Sequence, residues 1–164
     1  SFKEIKPSAF AQPIAFNAIP VIDAMQDNDY TREEMKLHWE TRKILRDMSI
    51  NVNATAVRIP VFFGHSEAVH LETSRDVSIE DVRKAMHKAA GLKLIDSTDP
   101  KEQATAVTHA AGKDEVFVSR LRRDLSHPRG IDMWVVGDNV RKGAALNAVQ
   151  IMHKMVTGKM PVET

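Results

Sequence analysis

One stretch, T-A-V-R-I-P-V-F-F-G-H-S-E-A-V-H-L-E-T from Thr55 to Thr73, restricts the folds open to this chain more than any other. Its β-branched and aromatic residues predict extended backbone from Asn53 to about Thr73. Thr55, Val57, Ile59, Val61 and Phe63 share one parity and are predicted to face a core. Arg58 has the other parity, and a guanidinium in an apolar strand is costly to bury unpaired. It either binds an anionic ligand through its bidentate fork or pairs with an internal Asp or Glu. His65 lies seven positions beyond Arg58, so on a regular strand the two side chains would point to opposite faces. Gly64 and Pro60 are the residues suited to bend the strand and re-aim one of them, with Gly64 the stronger choice. Histidine titrates near neutral pH and can serve as general acid and base; His65 is either such a group or a turn residue with no role.

The flanking segments carry local signals. Ile14–Asp23 is a short apolar run broken by Pro20, predicted as an edge strand, and 26–29 has turn chemistry. Residues 1–13 are predicted irregular. Thr31 and Glu34 form a capping box, with Tyr30 and Met35 at the staple positions, for a helix running to about Met48. Met35, Trp39, Leu45 and Met48 give that helix a predicted buried face. Ser78 caps a second helix with Asp81 at its third position, a stripe of Ile79, Val82, Met86 and Ala89, and Gly91 as its stop. Strands are predicted at 92–95, 104–109, 116–125 and 131–136, and a helix from about Gly143 to Gly158 with Ala145, Val149, Met152 and Val156 as its stripe. The tail to Thr164 is predicted to fray. With helices interspersed among strands, the order predicts an α+β domain with a mixed or antiparallel sheet and helices on one face.

Composition enters where it excludes. The 164 residues suit one domain, and a formal net charge of +1 gives no whole-domain footprint for nucleic acid or an anionic membrane surface. No apolar run approaches the roughly 20 residues of a membrane span, and the first residues lack a signal-peptide pattern. The chain contains no cysteine, which removes disulfides, thiolate metal sites and cysteine nucleophiles from these 164 residues and is compatible with the cytoplasm. Seven histidines without H-x-H or H-E-x-x-H spacing predict no metal site. Arg120, Arg122, Arg123 and Arg129 are split over two strand faces and balanced by Asp114, Glu115 and Asp124, so a salt-bridged surface is the reading for them. Glu33 and Lys36, three apart at a helix start, read by spacing alone as a solvated ion pair.

Several ordered blocks together are more specific than any single motif. A-F-N-A-I-P-V-I-D (15–23), R-E-E-M-K (32–36), E-T-R-K-I-L (40–45), R-I-P-V-F-F-G-H-S-E (58–67), A-V-T-H-A-A-G-K-D-E-V-F-V-S-R-L-R-R-D (106–124) and G-D-N-V-R-K-G-A-A-L-N-A-V-Q-I (137–151) run through essentially the whole chain. In these blocks the chain resembles the C-terminal half of the bacterial aspartate-semialdehyde dehydrogenases. The resemblance implies a C-terminal domain like that of glyceraldehyde-3-phosphate dehydrogenase, spanning 1–164, for substrate binding and dimerisation. It implies that Arg58 binds the substrate carboxylate, that His65 is the acid/base residue, that Glu33 binds the substrate amino group and that Lys36 lies near the phosphate. It also implies that Asn139, in G-D-N, approaches the nicotinamide end of NADP. The family reaction is reversible: aspartyl phosphate and NADPH give aspartate semialdehyde, phosphate and NADP, on the way to lysine, diaminopimelate, methionine and threonine. Members are homodimers, and some are tetramers.

Two family features are missing from these residues: the cysteine that carries the thioacyl intermediate, and the G-x-x-G-x-x-G dinucleotide fingerprint. In the family both lie upstream of the region matched here. The expectation is a domain that works with its own N-terminal NADP-binding domain, that leaves most of the NADP contacts to it, and that is inactive alone. Two alternatives compete with this reading. A non-catalytic dimerisation homologue would have no reason to keep Glu33, Lys36, Arg58 and His65 together. A reductase of N-acetylglutamyl phosphate would not place a glutamate to meet a free amino group.

Overall fold

The computed structural model describes residues 9–159; the readings made for residues 1–8 and 160–164 lie outside them. The chain divides at Pro60–Val61 into two compact units, each described by itself.

The first unit is built on helix α1, Arg32–Leu45. Its start follows the capping box: the Glu34 amide donates to Thr31 Oγ1 at 3.2 Å and the Thr31 amide to Glu34 Oε2 at 2.7 Å. It ends three residues before Met48, because Arg46 turns left-handed and returns its N–H to the Arg42 and Lys43 carbonyls. The predicted apolar face is not what α1 buries: Trp39, Leu45 and Met48 are 54%, 60% and 74% exposed. A polar stripe with a spacing of four faces inward instead, and it holds the extended segment that follows. Glu34 Oε1 accepts from the Ala56 amide at 2.8 Å, His38 Nδ1 lies 2.9 Å from the Val52 carbonyl, and Arg42 Nε donates to the Ile50 carbonyl at 2.6 Å. Arg42 Nη1 also lies 2.9 Å from His38 Nε2; the guanidinium can only donate, so Nδ1 carries the hydrogen that goes to Val52.

This clamp corrects two predictions. Residues 53–59 are extended but form no ladder, and their parity is reversed: Ala54, Ala56 and Arg58 are half-buried while Thr55, Val57 and Ile59 are exposed; Pro60, Phe62 and Phe63 lie in bends, and Val61 and Phe63 are exposed as well. Side-chain acceptors and donors of α1 take the place of a neighbouring strand, so inward facing follows the clamp and not the apolar pattern. Ile14–Asp23 is likewise no strand. Left-handed Phe16 and Asp23 break its extension, leaving a single bridge in which Ile19 and Arg58 exchange N–H···O bonds of 2.9 Å.

Glu34 is 8% exposed, and the amides of Thr31 and Ala56 hold its carboxyl below its ordinary value of 4.5. A carboxyl lowered by folding stabilises above its unfolded value, and that stability is lost as pH falls through the lower folded value. Glu34→Ala removes both bonds, a loss of about 1–3 kcal/mol for a buried, charge-assisted pair of this kind. Amide exchange at Thr31 and Ala56 is expected to quicken about tenfold to a hundredfold at pH 7. Unchanged exchange at Ala56 would remove the clamp.

The second unit is a four-stranded mixed sheet in the order β1-β4-β3-β2. The strands are β1 (His65–Glu72), β2 (Leu92–Leu94), β3 (Val116–Arg123) and β4 (Gly130–Gly137). β4 is antiparallel to both β1 and β3, and β2 joins β3 in parallel. Helix α2, Ile79–Lys88, connects β1 to β2; Ser78 caps it, accepting from the Asp81 amide at 3.0 Å. Ile79, Val82 and Met86 pack on Val118, Leu121, Ile131 and Met133, as the stripe predicts, while Ala89 is exposed. The opposite sheet face carries Phe117, Trp134 and Val136.

That second face is covered at one end by 104–110, where a strand is predicted over 104–109 but a π-helical turn is found over Ala106–Ala110. Alanines 104, 106 and 110 have the small bulk needed to lie against Phe117 and Val136, and the Trp134 indole donates to the Ala104 carbonyl at 3.0 Å. Thr105 caps the turn by accepting from the Thr108 amide. Beyond β4 a π-helical turn, Arg141–Ala145, leads into α3, Leu146–Thr157, which Gly158 ends in left-handed conformation. The predicted stripe of α3 is not buried: Val149, Met152 and Val156 are exposed.

Candidate active site

Three of the candidate residues lie in the first unit. Glu33 and Lys36 sit at the start of α1, side by side, with Lys36 Nζ 3.1 Å from Glu33 Oε2. Each is about two-fifths exposed, so the pair is weakly held and open to exchange for a ligand's charges. Arg58 is half-buried. Its backbone is fixed by Ile19, and the Glu34–Ala56 bond ties the start of α1 two residues away from it. Its guanidinium carbon stands 5.0 Å from the centroid of the Phe10 ring. Among the described residues it makes no ion pair, so the internal carboxylate partner offered as an alternative is not found there.

His65 and Asn139 lie in the second unit. His65 is exposed and opens β1, opposite Gly137 of β4. The residue before it, Gly64, has φ +82°, so the backbone turns at the glycine just ahead of β1, and no continuous strand joins Arg58 to His65. Asn139 is half-buried, in the turn after β4, and its Oδ1 accepts from the Gly64 amide at 3.0 Å.

Sequence reasoning missed Glu34 and Asp138 as organisers of these positions. Glu34 shows only its capping signature in the sequence; its second oxygen reaches 22 positions along the chain to Ala56. Asp138 is 7% exposed and accepts from the amides of Gly112, Val140 and Arg141 at 2.7, 2.8 and 2.8 Å. The Arg141 amide foremost, with those of Gly112 and Val140, holds its carboxyl below the usual aspartate range. Asp three positions before the helical segment was the available signal, since Asp commonly accepts from nearby backbone amides.

The fold is thus an α+β domain on a mixed sheet, and residues 1–142 match the family model "Semialdehyde dehydrogenase, dimerisation domain". The chain belongs to that family. The aspartate-semialdehyde dehydrogenase of Legionella pneumophila is 56% identical over 142 residues, 87% of this chain and 41% of that protein. The crystal structure of aspartate semialdehyde dehydrogenase II from Vibrio cholerae, complexed with ASA, matches with a TM-score of 0.88 at 52% identity. That match covers 92% of this chain and 44% of the other. The Candida albicans enzyme crystallised with NADP shares the fold, with a TM-score of 0.70 at 24% identity over 87% of this chain and 45% of its own. The chain spans less than half the length of each.

Proposed function

We propose that the chain is the substrate-binding and dimerisation part of an NADP-dependent aspartate-semialdehyde dehydrogenase. The reaction interconverts aspartyl phosphate and aspartate semialdehyde, with release or uptake of phosphate, and serves lysine, diaminopimelate, methionine and threonine synthesis. The observation that carries the reading is that Glu33, Lys36, Arg58, His65 and Asn139 all stand within the 142 matched residues. Arg58, without an ion pair among the described residues, binds the substrate carboxylate by its fork. Glu33 meets the substrate ammonium and Lys36 the phosphate, exchanging their mutual pair for two with the ligand. His65, exposed at the head of β1, takes and returns the proton of the reacting centre.

NADP supplies the hydride chemistry. Among these residues Asn139 alone is proposed to contact it: with Oδ1 turned to Gly64, its amide nitrogen remains a donor suited to a carboxamide oxygen. With no cysteine here, the nucleophilic thiol and most of the cofactor contacts belong to an N-terminal NADP-binding domain of the same protein. The reading extends to a cytoplasmic homodimer, in keeping with the dimerisation domain that the chain matches.

The test is a steady-state assay of the full-length gene product. NADPH formation from aspartate semialdehyde, NADP and phosphate is expected, with little from the N-acetylglutamate analogue. Turnover of the N-acetylated substrate in preference would overturn the substrate assignment.

A further inference from the structure

The residue that precedes His65 is held from three sides. A Cβ on Gly64 would lie 2.8 Å from Ala106 Cβ and 3.1 Å from the Gly137 carbonyl oxygen, so the backbone there is packed as closely as glycine permits. The third side is Asn139, whose Oδ1 receives the Gly64 N–H at 3.0 Å. Since that N–H is a donor, the side-chain oxygen is the end of the amide that faces it. Asn139 is itself anchored by its neighbour: the Asp138 carboxylate gathers the amides of Gly112, Val140 and Arg141. One dipeptide therefore joins the residue before β1, the loop after the 106–110 turn and the first turn beyond β4.

We infer that Asn139 is a positioning residue for His65, its side-chain oxygen fixing, through the Gly64 amide, the backbone from which the imidazole projects. This rests on the reading of His65 as the proton-transfer residue. It assigns the two ends of one amide to two tasks: the oxygen orients the acid/base residue, and the nitrogen is left for the cofactor. A histidine displaced by a fraction of its hydrogen-bond reach loses rate and not substrate affinity, because the reacting geometry is what it supplies.

Three variants of the full-length gene product separate these tasks, each checked by thermal melting. Asn139→Ala removes both ends of the amide, and kcat is expected to fall about tenfold to a hundredfold with the aspartate semialdehyde KM little changed. Asn139→Asp keeps an acceptor for Gly64 and lacks the NH2 donor; its kcat is expected to exceed that of Asn139→Ala about tenfold, with a raised NADP KM. Should the alanine variant not fold, Asn139→Gln offers the same groups one methylene out of place, and a lowered kcat is again expected. Wild-type kcat in Asn139→Ala or Asn139→Gln, or Asn139→Asp as slow as Asn139→Ala, overturns the inference. His65→Asn, assayed beside them, tells the two failures apart. If it abolishes turnover while Asn139→Ala or its glutamine substitute keeps full kcat, only the positioning role falls. If it leaves kcat intact, the proton-transfer reading falls and the positioning role falls with it.

Discussion

His65→Asn in the full-length gene product is expected to lower kcat by about 10²–10⁴-fold while leaving the KM for aspartate semialdehyde within a few-fold. Asparagine preserves polarity and the extended backbone at the head of β1, where His65 pairs with Gly137, but it cannot cycle a proton near neutral pH. The residue is exposed, so the loss cannot be charged to a cavity in the sheet. A variant with wild-type kcat would leave His65 as a turn residue.

Arg58→Leu is expected to raise the KM for aspartate semialdehyde about a hundredfold or more, the worth of two charge-assisted hydrogen bonds to a carboxylate. Folding is expected to suffer much less. The bridge to Ile19 is made by backbone atoms and survives the substitution, and leaving the Phe10 ring forfeits about 0.5–1 kcal/mol. Arg58→Lys restores the charge but not the planar fork, so it recovers only part of the loss. Equal KM values for wild type and Arg58→Leu would return Arg58 to a structural role.

What could be read from the residues in advance was local in origin. The Thr31–Glu34 capping box, the Ser78 cap, the α2 stripe and the β3 and β4 runs each depend on neighbours within a few positions, and each is found. What could not be read depended on distant partners. The apolar periodicity of α1 pointed to Trp39 and Leu45, while the buried stripe is Glu34, His38 and Arg42, polar groups that satisfy backbone 8 to 22 positions away. That one substitution of polar clamp for apolar face also reversed the parity of 54–59. The 104–109 run, A-T-A-V-T-H, has enough β-branched residues to suit a strand, and the packing of Ala104, Ala106 and Ala110 on Phe117 and Val136 goes with the compact turn instead. The exposed apolar residues of α1 and α3 show that hydrophobic spacing predicts a face correctly only where the chain itself supplies the covering.

The candidate site divides along the same line. Its residues are proposed through resemblance, whereas the hydrogen bonds near them, Glu34 to Ala56 two residues before Arg58 and Asn139 to Gly64 just before His65, emerge only when the chain is folded. The central claim is that these 164 residues hold the substrate side of a site whose nucleophile is a thiol elsewhere in the protein. It is tested most directly by alkylating every thiol of the full-length gene product with iodoacetamide and then measuring phosphate-dependent oxidation of aspartate semialdehyde. Turnover is predicted to be lost, with aspartate semialdehyde protecting against the loss. Turnover that survives complete alkylation would mean that the thiol is not the nucleophile, and would contradict the account.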